Sequence, residues 1–219
     1  IIIDESFRNV VPKTTVSWFE GLSAVTEIRG LDNLNTSEVT DMSGMFAGCS
    51  ALRTLDVSRF DTSQVTDMSW MFCGCKSLAE LDLYFFDTSG VTRLSGMFSG
   101  CSSLTTLDLS RFDTSKVTDM SWMFYGCSSL TTLDLSSFAT LQVTDMSFMF
   151  RGCESLTTLA LSRFDTSQVA DMHAMFKNCK SLTTLDLSNF QTDTSKVTDM
   201  SDMFRGCSAL TSLDLSRFD

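Results

Sequence analysis

The residues best equipped for chemistry in this chain are eight cysteines, one histidine and a recurring aspartate. Cys49, Cys75, Cys101, Cys127, Cys153, Cys179 and Cys207 form one column, and Cys73 stands apart from it. Thiols in register could cross-link, ligate a metal or simply pack. A metal site would ask for a C-x-x-C pair or a histidine partner, and the sequence has neither; the C-G-C at 73–75 is too cramped for a usual zinc half-site. Disulfides between neighbouring copies are conceivable on distance. Every column cysteine, however, sits where the pattern around it asks for an apolar residue, and a free thiol behaves as a small hydrophobe. The expectation is a buried thiol ladder, with Cys73 pointing outward and open to reaction. His173 has no sequence neighbours from which to build a triad or a metal site. Without a nucleophile–base–orienter set, a phosphate loop or an acid pair outside the columns, no enzyme, cofactor or metal is expected.

Aspartate fills three further columns. Asp41, Asp67, Asp119, Asp145, Asp171 and Asp199 precede a methionine, and Asp61, Asp87, Asp113, Asp165 and Asp193 open a D-T-S triplet. Both sets suit turns and caps, where a carboxylate accepts from nearby backbone N–H groups. The third set, Asp56, Asp82, Asp108, Asp134, Asp186 and Asp214, lies in an alternating segment. Like charges ~5 Å apart repel by roughly 0.8 kcal/mol in water, which Arg59, Arg111, Arg163 and Arg217 stand near enough to offset. This column is either a solvated face with local pairing or a Thr/Asp/Ser surface for a cationic protein partner or weakly held Ca²⁺.

The element that must carry these columns is a repeat. Val39, Val65, Val91, Val117, Val143 and Val169 keep a step of 26, and Val197 follows a two-residue insertion near "QTDTSKV". One unit reads V-T-D-M-S-x-M-F-x-G-C-x-x-L-x-x-L-D-L-S-x-F-D-T-S-x. A period in the twenties with an L-x-x-L-x-L segment marks a leucine-rich-repeat solenoid. In "LTTLDLSRF", Leu104, Leu107 and Leu109 face inward and Thr106, Asp108 and Ser110 outward, as in a strand. In "MSWMFYGC", Met120, Met123, Phe124 and Cys127 fall at i, i+3, i+4 and i+7, one face of a short helix. Thr118 or Asp119 would start that helix and Gly126 would end it. The expected architecture is an α/β repeat solenoid, a right-handed coil with a parallel β-sheet on one side and short helical segments on the other. A lone coil buries too little to offset its ordering entropy, so stacking is the reason for the repetition.

Residues 1–38 read as an N-terminal cap and a degenerate first repeat, in which Phe19, Leu22, Val25 and Ile28 shadow Phe46, Cys49, Leu52 and Leu55. Residues 1–15, with the single proline Pro12, would cover the first coil. Residues 39–219 hold about seven repeats, the last incomplete, and the uncapped "LDLSRFD" reads as a boundary inside a longer protein. With 43% hydrophobic and 20% charged residues the chain has the composition of a folded soluble protein. It has no apolar run of membrane-spanning length, and "IIIDESF" is not a signal-peptide core. A net charge of −11 argues against nucleic acid and anionic lipid as partners.

Specificity in repeats belongs to the positions that vary. The column after the repeat's Met-Ser runs Gly44, Trp70, Gly96, Trp122, Phe148, Ala174, Asp202, and the column after Met-Phe runs Ala47, Cys73, Ser99, Tyr125, Arg151, Lys177, Arg205. Trp70, Trp122, Phe148 and Tyr125 would form an exposed apolar strip or lean over neighbouring coils as packing. In "ELDLYFF", Glu80, Tyr84 and Phe85 interrupt the small polar columns. The candidate partner-binding residues are therefore Trp70, Trp122, Phe148, Tyr125, Tyr84, Phe85, Asp82, Asp108 and Asp134.

The unit "FDTSxVTDMSxMFxGCxxLxxLDLS", with the opening "WFEGLSAVTEIRGLDNLNTSEVTDMSGMF", resembles the BspA-like leucine-rich-repeat surface proteins of bacteria over nearly the whole chain. The resemblance implies an extracellular, surface-anchored protein whose domain is monomeric and acts as an adhesin or host-interaction module for a host extracellular protein or glycan. It supplies no binding motif. Departures are local: Arg93-Leu94 replaces D-M, Ala139-Thr140-Leu141 replaces D-T-S, Ala160 replaces the strand Asp, and His173 replaces Ser. Two other functions compete, a passive stalk or spacer, and an ice-binding array of the V-T-D and D-T-S threonines.

Overall fold

Successive coils are joined at the V-T-D segment. In the computed structural model, which describes residues 1–190 and 196–218, Thr14, Asp41, Asp67, Arg93, Asp119, Asp145, Asp171 and Asp199 form one continuous ladder of parallel bridges. Asp193 of the D-T-S column lies outside the described residues.

The segment expected as a short helix is not helical. Among the described residues there is no α-helix, only 3₁₀ turns at Glu5–Asn9 and Leu31–Asn33. The reason lies in where the N–H groups point. Met120, Trp122, Phe124 and Gly126 donate to the next coil, at Asp145, Ser147, Met149 and Arg151 (3.0, 2.9, 2.9 and 2.7 Å). Met123, Tyr125 and Cys127 donate back to Met120, Trp122 and Phe124 (3.3, 2.9 and 3.1 Å), closing overlapping β-turns. An N–H given to the next coil cannot also close an i to i−4 bond. Trp122 (φ 61°) and Gly126 (φ 68°) are the third residues of two of these turns, the place that demands positive φ. The train of turns still returns Met120, Met123, Phe124 and Cys127 to the interior, which is why its spacing imitates a helix.

The L-x-x-L-x-L side is less regular than a full sheet. One pair of strands forms there among the described residues, β1 (Thr132–Asp134) parallel to β2 (Thr158–Ala160), in register at Leu133 and Leu159. Leu133 is buried between exposed Thr132 and Asp134, the alternation the sequence predicts.

Two sets of side chains hold the coils in register. Phe19, Phe46, Phe72, Phe98, Phe124, Phe150, Phe176 and Phe204 stack through the core at centroid spacings of 5.4–5.9 Å. Five threonines of the column that runs through the D-T-S triplets act as buried staples. Thr88 Oγ1 donates to the Asp113 carbonyl (3.0 Å) and accepts from the Asp113 N–H (2.8 Å); Thr36, Thr62, Thr114 and Thr140 repeat the arrangement with Asp61, Asp87, Ala139 and Asp165. At the start, Ile2 pairs with Arg29 of the first coil, while Thr14 pairs with Asp41 of the second and so begins the ladder. No helix of the described residues is long and apolar enough to cross a membrane.

Candidate binding surfaces

The fold accounts for most of the reactive side chains. Cys49, Cys75, Cys101, Cys127, Cys153 and Cys179 are buried free thiols and Cys207 is half-buried. Each donates its S–H to a phenylalanine carbonyl: Cys75 to Phe46 (3.3 Å), Cys101 to Phe72 (3.1 Å), Cys127 to Phe98 (3.1 Å). Burial pushes Cys75 and Cys127 up to about 12 and raises Cys101 and Cys153 well above the ordinary thiol value. Cys73 corrects an expectation. It is half-buried, and burial raises its pKa as well, so it is a poorer nucleophile than an outward thiol.

All three aspartate columns do the same local work. Each described carboxylate accepts from the N–H two residues on, as in Asp119 to Ser121, Asp113 to Ser115 and Asp108 to Ser110 (2.9 Å each). These bonds hold Asp108, Asp134 and Asp186 below the usual carboxylate range. Arg93, the outlier in its column, pairs with Asp67 (2.7 Å) and breaks the row of like charges. Arg111 forms no ion pair with the described residues; its guanidinium lies 4.5 Å from the Tyr84 ring. Among the described residues no three His, Cys, Asp or Glu side chains are grouped to hold a metal ion.

The nine candidates divide between two faces. Asp82 and Asp108 line a shallow depression of 640 Å³ with Arg53, Glu80 and Thr106. Asp134 lines another, of 480 Å³, with Thr132, Thr158, Ala160, Thr184 and Asp186. Tyr84 and Phe85, 54% and 61% exposed, meet edge to face at 5.1 Å beside the first of these. Trp70, Trp122, Tyr125 and Phe148 belong to the train of turns instead.

That second face has a backbone signature. Ser17, Gly44, Trp70, Gly96, Trp122, Phe148, Ala174 and Asp202 all lie between φ 52° and 62°. Glycine fits there freely; an aromatic residue is strained. Trp122 stacks on Phe148 (4.1 Å) and tilts against Tyr125 (4.7 Å), and Phe148 meets His173 edge-on (4.7 Å). Trp70 makes no ring contact with these; its indole covers Gly96. The rings therefore pack over neighbouring coils and remain partly open to solvent. Arg151 belongs to the same cluster, 5.5 Å from the Tyr125 ring and 5.4 Å from that of Phe148. The sequence named it only as a column member; an arginine one coil after Tyr125 and three residues after Phe148 was the available signal.

Residues 14–132 and 130–219 match the family described as "Mycoplasma protein of unknown function, DUF285". The chain belongs to this family. DUF285 is a BspA-type repeat family, so the resemblance drawn from the sequence is confirmed at the level of family. Two solved leucine-rich-repeat proteins are similar to this DUF285 chain. One, from T. pallidum, is 20% identical over 83% of this chain and 77% of its own, with a TM-score of 0.51. The other, from Eubacterium ventriosum, is 23% identical over 83% of this chain and 44% of its own, with a TM-score of 0.54. At these identities the likeness is one of fold. No curated protein matches the chain. Leucine-rich-repeat families such as DUF285 are generally non-enzymatic.

Proposed function

We propose that this chain is a non-enzymatic binding module displayed at the bacterial cell surface, holding an extracellular protein or glycan along an extended face of its repeats. One observation carries the reading. The left-handed column is filled by glycine at 44 and 96, which is all the scaffold asks, yet Trp70, Trp122 and Phe148 occupy it with rings outside the core. Strain of about 1–2 kcal/mol per residue, kept where no core burial offsets it, is expected where a surface is used. The test is binding of the purified chain to a panel of matrix proteins and glycans, with and without Ca²⁺. Saturable binding weakened by Trp70→Gly or Trp122→Gly, and less so by Tyr84→Ser, supports the module and assigns its face. Absence of binding at micromolar protein sinks it.

A second reading, a passive spacer, draws on the uninterrupted bridge ladder from Thr14 to Asp199, which suits a stiff rod. Ice binding loses support because Thr36, Thr62, Thr88, Thr114 and Thr140 are buried. The exposed V-T-D threonines remain, with hydroxyls donated to the preceding coil, as Thr118 to Thr92 (3.3 Å). Unchanged ice-crystal shape in solutions of the protein would remove that function.

A further inference from the structure

Resting on the binding-module reading, the surroundings of Trp70 narrow it to a class of ligand. A Cβ built on Gly96 would collide with Cε3, Cδ2 and Cζ3 of the Trp70 indole almost equally. Three consecutive ring atoms are equally near one point only when that point lies over the ring face and not beyond its rim. The indole therefore lies flat on buried Gly96 with its other face turned away from that glycine, and the residue is 38% exposed. The next coil continues the surface with Trp122, stacked on Phe148.

Arg151 supplies charge at the end of this row. Its column neighbours Lys177 and Arg205 share Asp202, but Arg151 forms no ion pair with the described residues and its guanidinium lies over the rings of Tyr125 and Phe148. Indole N–H and guanidinium groups donate and cannot accept. Those of Trp122 and Arg151 make no hydrogen bond to the described residues and are not shut away from water. A ligand for this face must bring acceptors, and a flat body to lie on a ring.

We propose that the face formed by Trp70, Trp122, Tyr125 and Arg151 binds an acidic glycan. A sugar ring lies with its C–H bonds against the free face of the Trp70 indole, and a carboxylate further along the chain takes the Arg151 guanidinium, a pairing that is commonly bidentate. The carboxylates must be sparse. Asp119, Asp145 and Asp171 stand three residues before Trp122, Phe148 and Ala174 and the whole chain carries −11, so a dense polyanion is repelled.

The test is calorimetry with oligosaccharides of hyaluronan and with sialyl-lactose, each beside its carboxyl-reduced form, with polyglutamate as the dense acidic peptide. Matrix proteins are assayed in parallel. The variants are Trp70→Gly, which the column's backbone accepts, and Arg151→Gln, each checked for cooperative melting. Binding to at least one acidic sugar, about tenfold weaker after carboxyl reduction and about tenfold weaker in either variant, is the expected result. Equal binding of the reduced sugar or of polyglutamate overturns the proposal, as does binding that neither variant weakens. Binding to a matrix protein but to no acidic sugar overturns it and leaves the module reading standing. Binding to nothing in the set overturns both.

Discussion

At the scale of single residues, the pair Trp70 and Gly96 is open to a double-mutant test. Gly96 sits at φ 61° beneath the indole. Alanine there should cost about 1–2 kcal/mol from the backbone alone, and more while the ring occupies its Cβ position. In denaturant melts the loss from Gly96→Ala should be at least ~0.5 kcal/mol greater with Trp70 than in a Trp70→Gly background. Tryptophan emission should also move to the red as the ring lifts. Equal losses in the two backgrounds would mean the ring is not seated on the glycine. The thiols allow a second prediction. Burial holds Cys75 and Cys127 up to about 12, whereas the unfolded chain titrates near the ordinary value of 9.0. The stability contributed by a neutral buried thiol is thus complete below pH 9 and is lost as pH rises toward 12. Iodoacetamide at about pH 8 should leave the buried column unlabelled until the protein is denatured, and Cys127→Ala should flatten the alkaline loss of stability. Ready labelling of the folded protein would contradict the ladder.

One level up, the element that matters is the staple between coils. Thr88 is 2% exposed and satisfies both the N–H and the C=O of Asp113 through one hydroxyl. Thr88→Val keeps the shape and strands both backbone groups, with an expected cost of about 2–4 kcal/mol. Thr118→Val on the exposed ladder removes a long bond to a carbonyl that also receives the Thr118 N–H, and should cost less than about 1 kcal/mol. Equal costs by chemical denaturation would show that the buried hydroxyl is not a staple. The same element shows how far the sequence could be read. The period, the inward columns and the burial of cysteine are legible because burial at a fixed step needs no knowledge of the backbone between. The helix is not legible correctly, since overlapping β-turns bury Met120, Met123, Phe124 and Cys127 at the same spacing. Gly44 and Gly96 in one column with Trp70 and Trp122 were the clue: a helix has no use for recurrent glycine there, and a left-handed turn position does. The candidate site was legible as a set of variable residues but not as two faces, because which columns share a face depends on those turns. Circular dichroism should accordingly lack the helical minimum near 222 nm; a helical spectrum would restore the helix and refute the turns.

For the whole molecule, the hydrogen bonds run from each coil to its two neighbours, so stability should behave as a one-dimensional sum of coils and interfaces. Removing residues 113–138, one full period, joins Phe112 to Ala139 and restores every column. Phe98 then faces Phe150, Thr88 meets the backbone of Ala139 in place of Asp113, and Trp70 keeps its seat on Gly96. This shortened chain should fold and melt cooperatively, with a denaturant slope reduced in proportion to the coil removed. Removing only residues 113–125 joins Phe112 to Gly126 and deletes the Val117, Met120, Met123 and Phe124 layer while leaving the Leu130 and Leu133 layer. The Phe98 and Phe150 rings then face a gap where Phe124 stood, and the coil has no partner for half of its outgoing N–H groups. That chain should lose cooperative melting although it is the longer of the two. Length and composition favour the half-deletion and register favours the full one, so the comparison isolates register as the quantity the repetition protects. If both deletions melt alike, the coil is not the unit of stability and the parallel ladder is not what holds the molecule together.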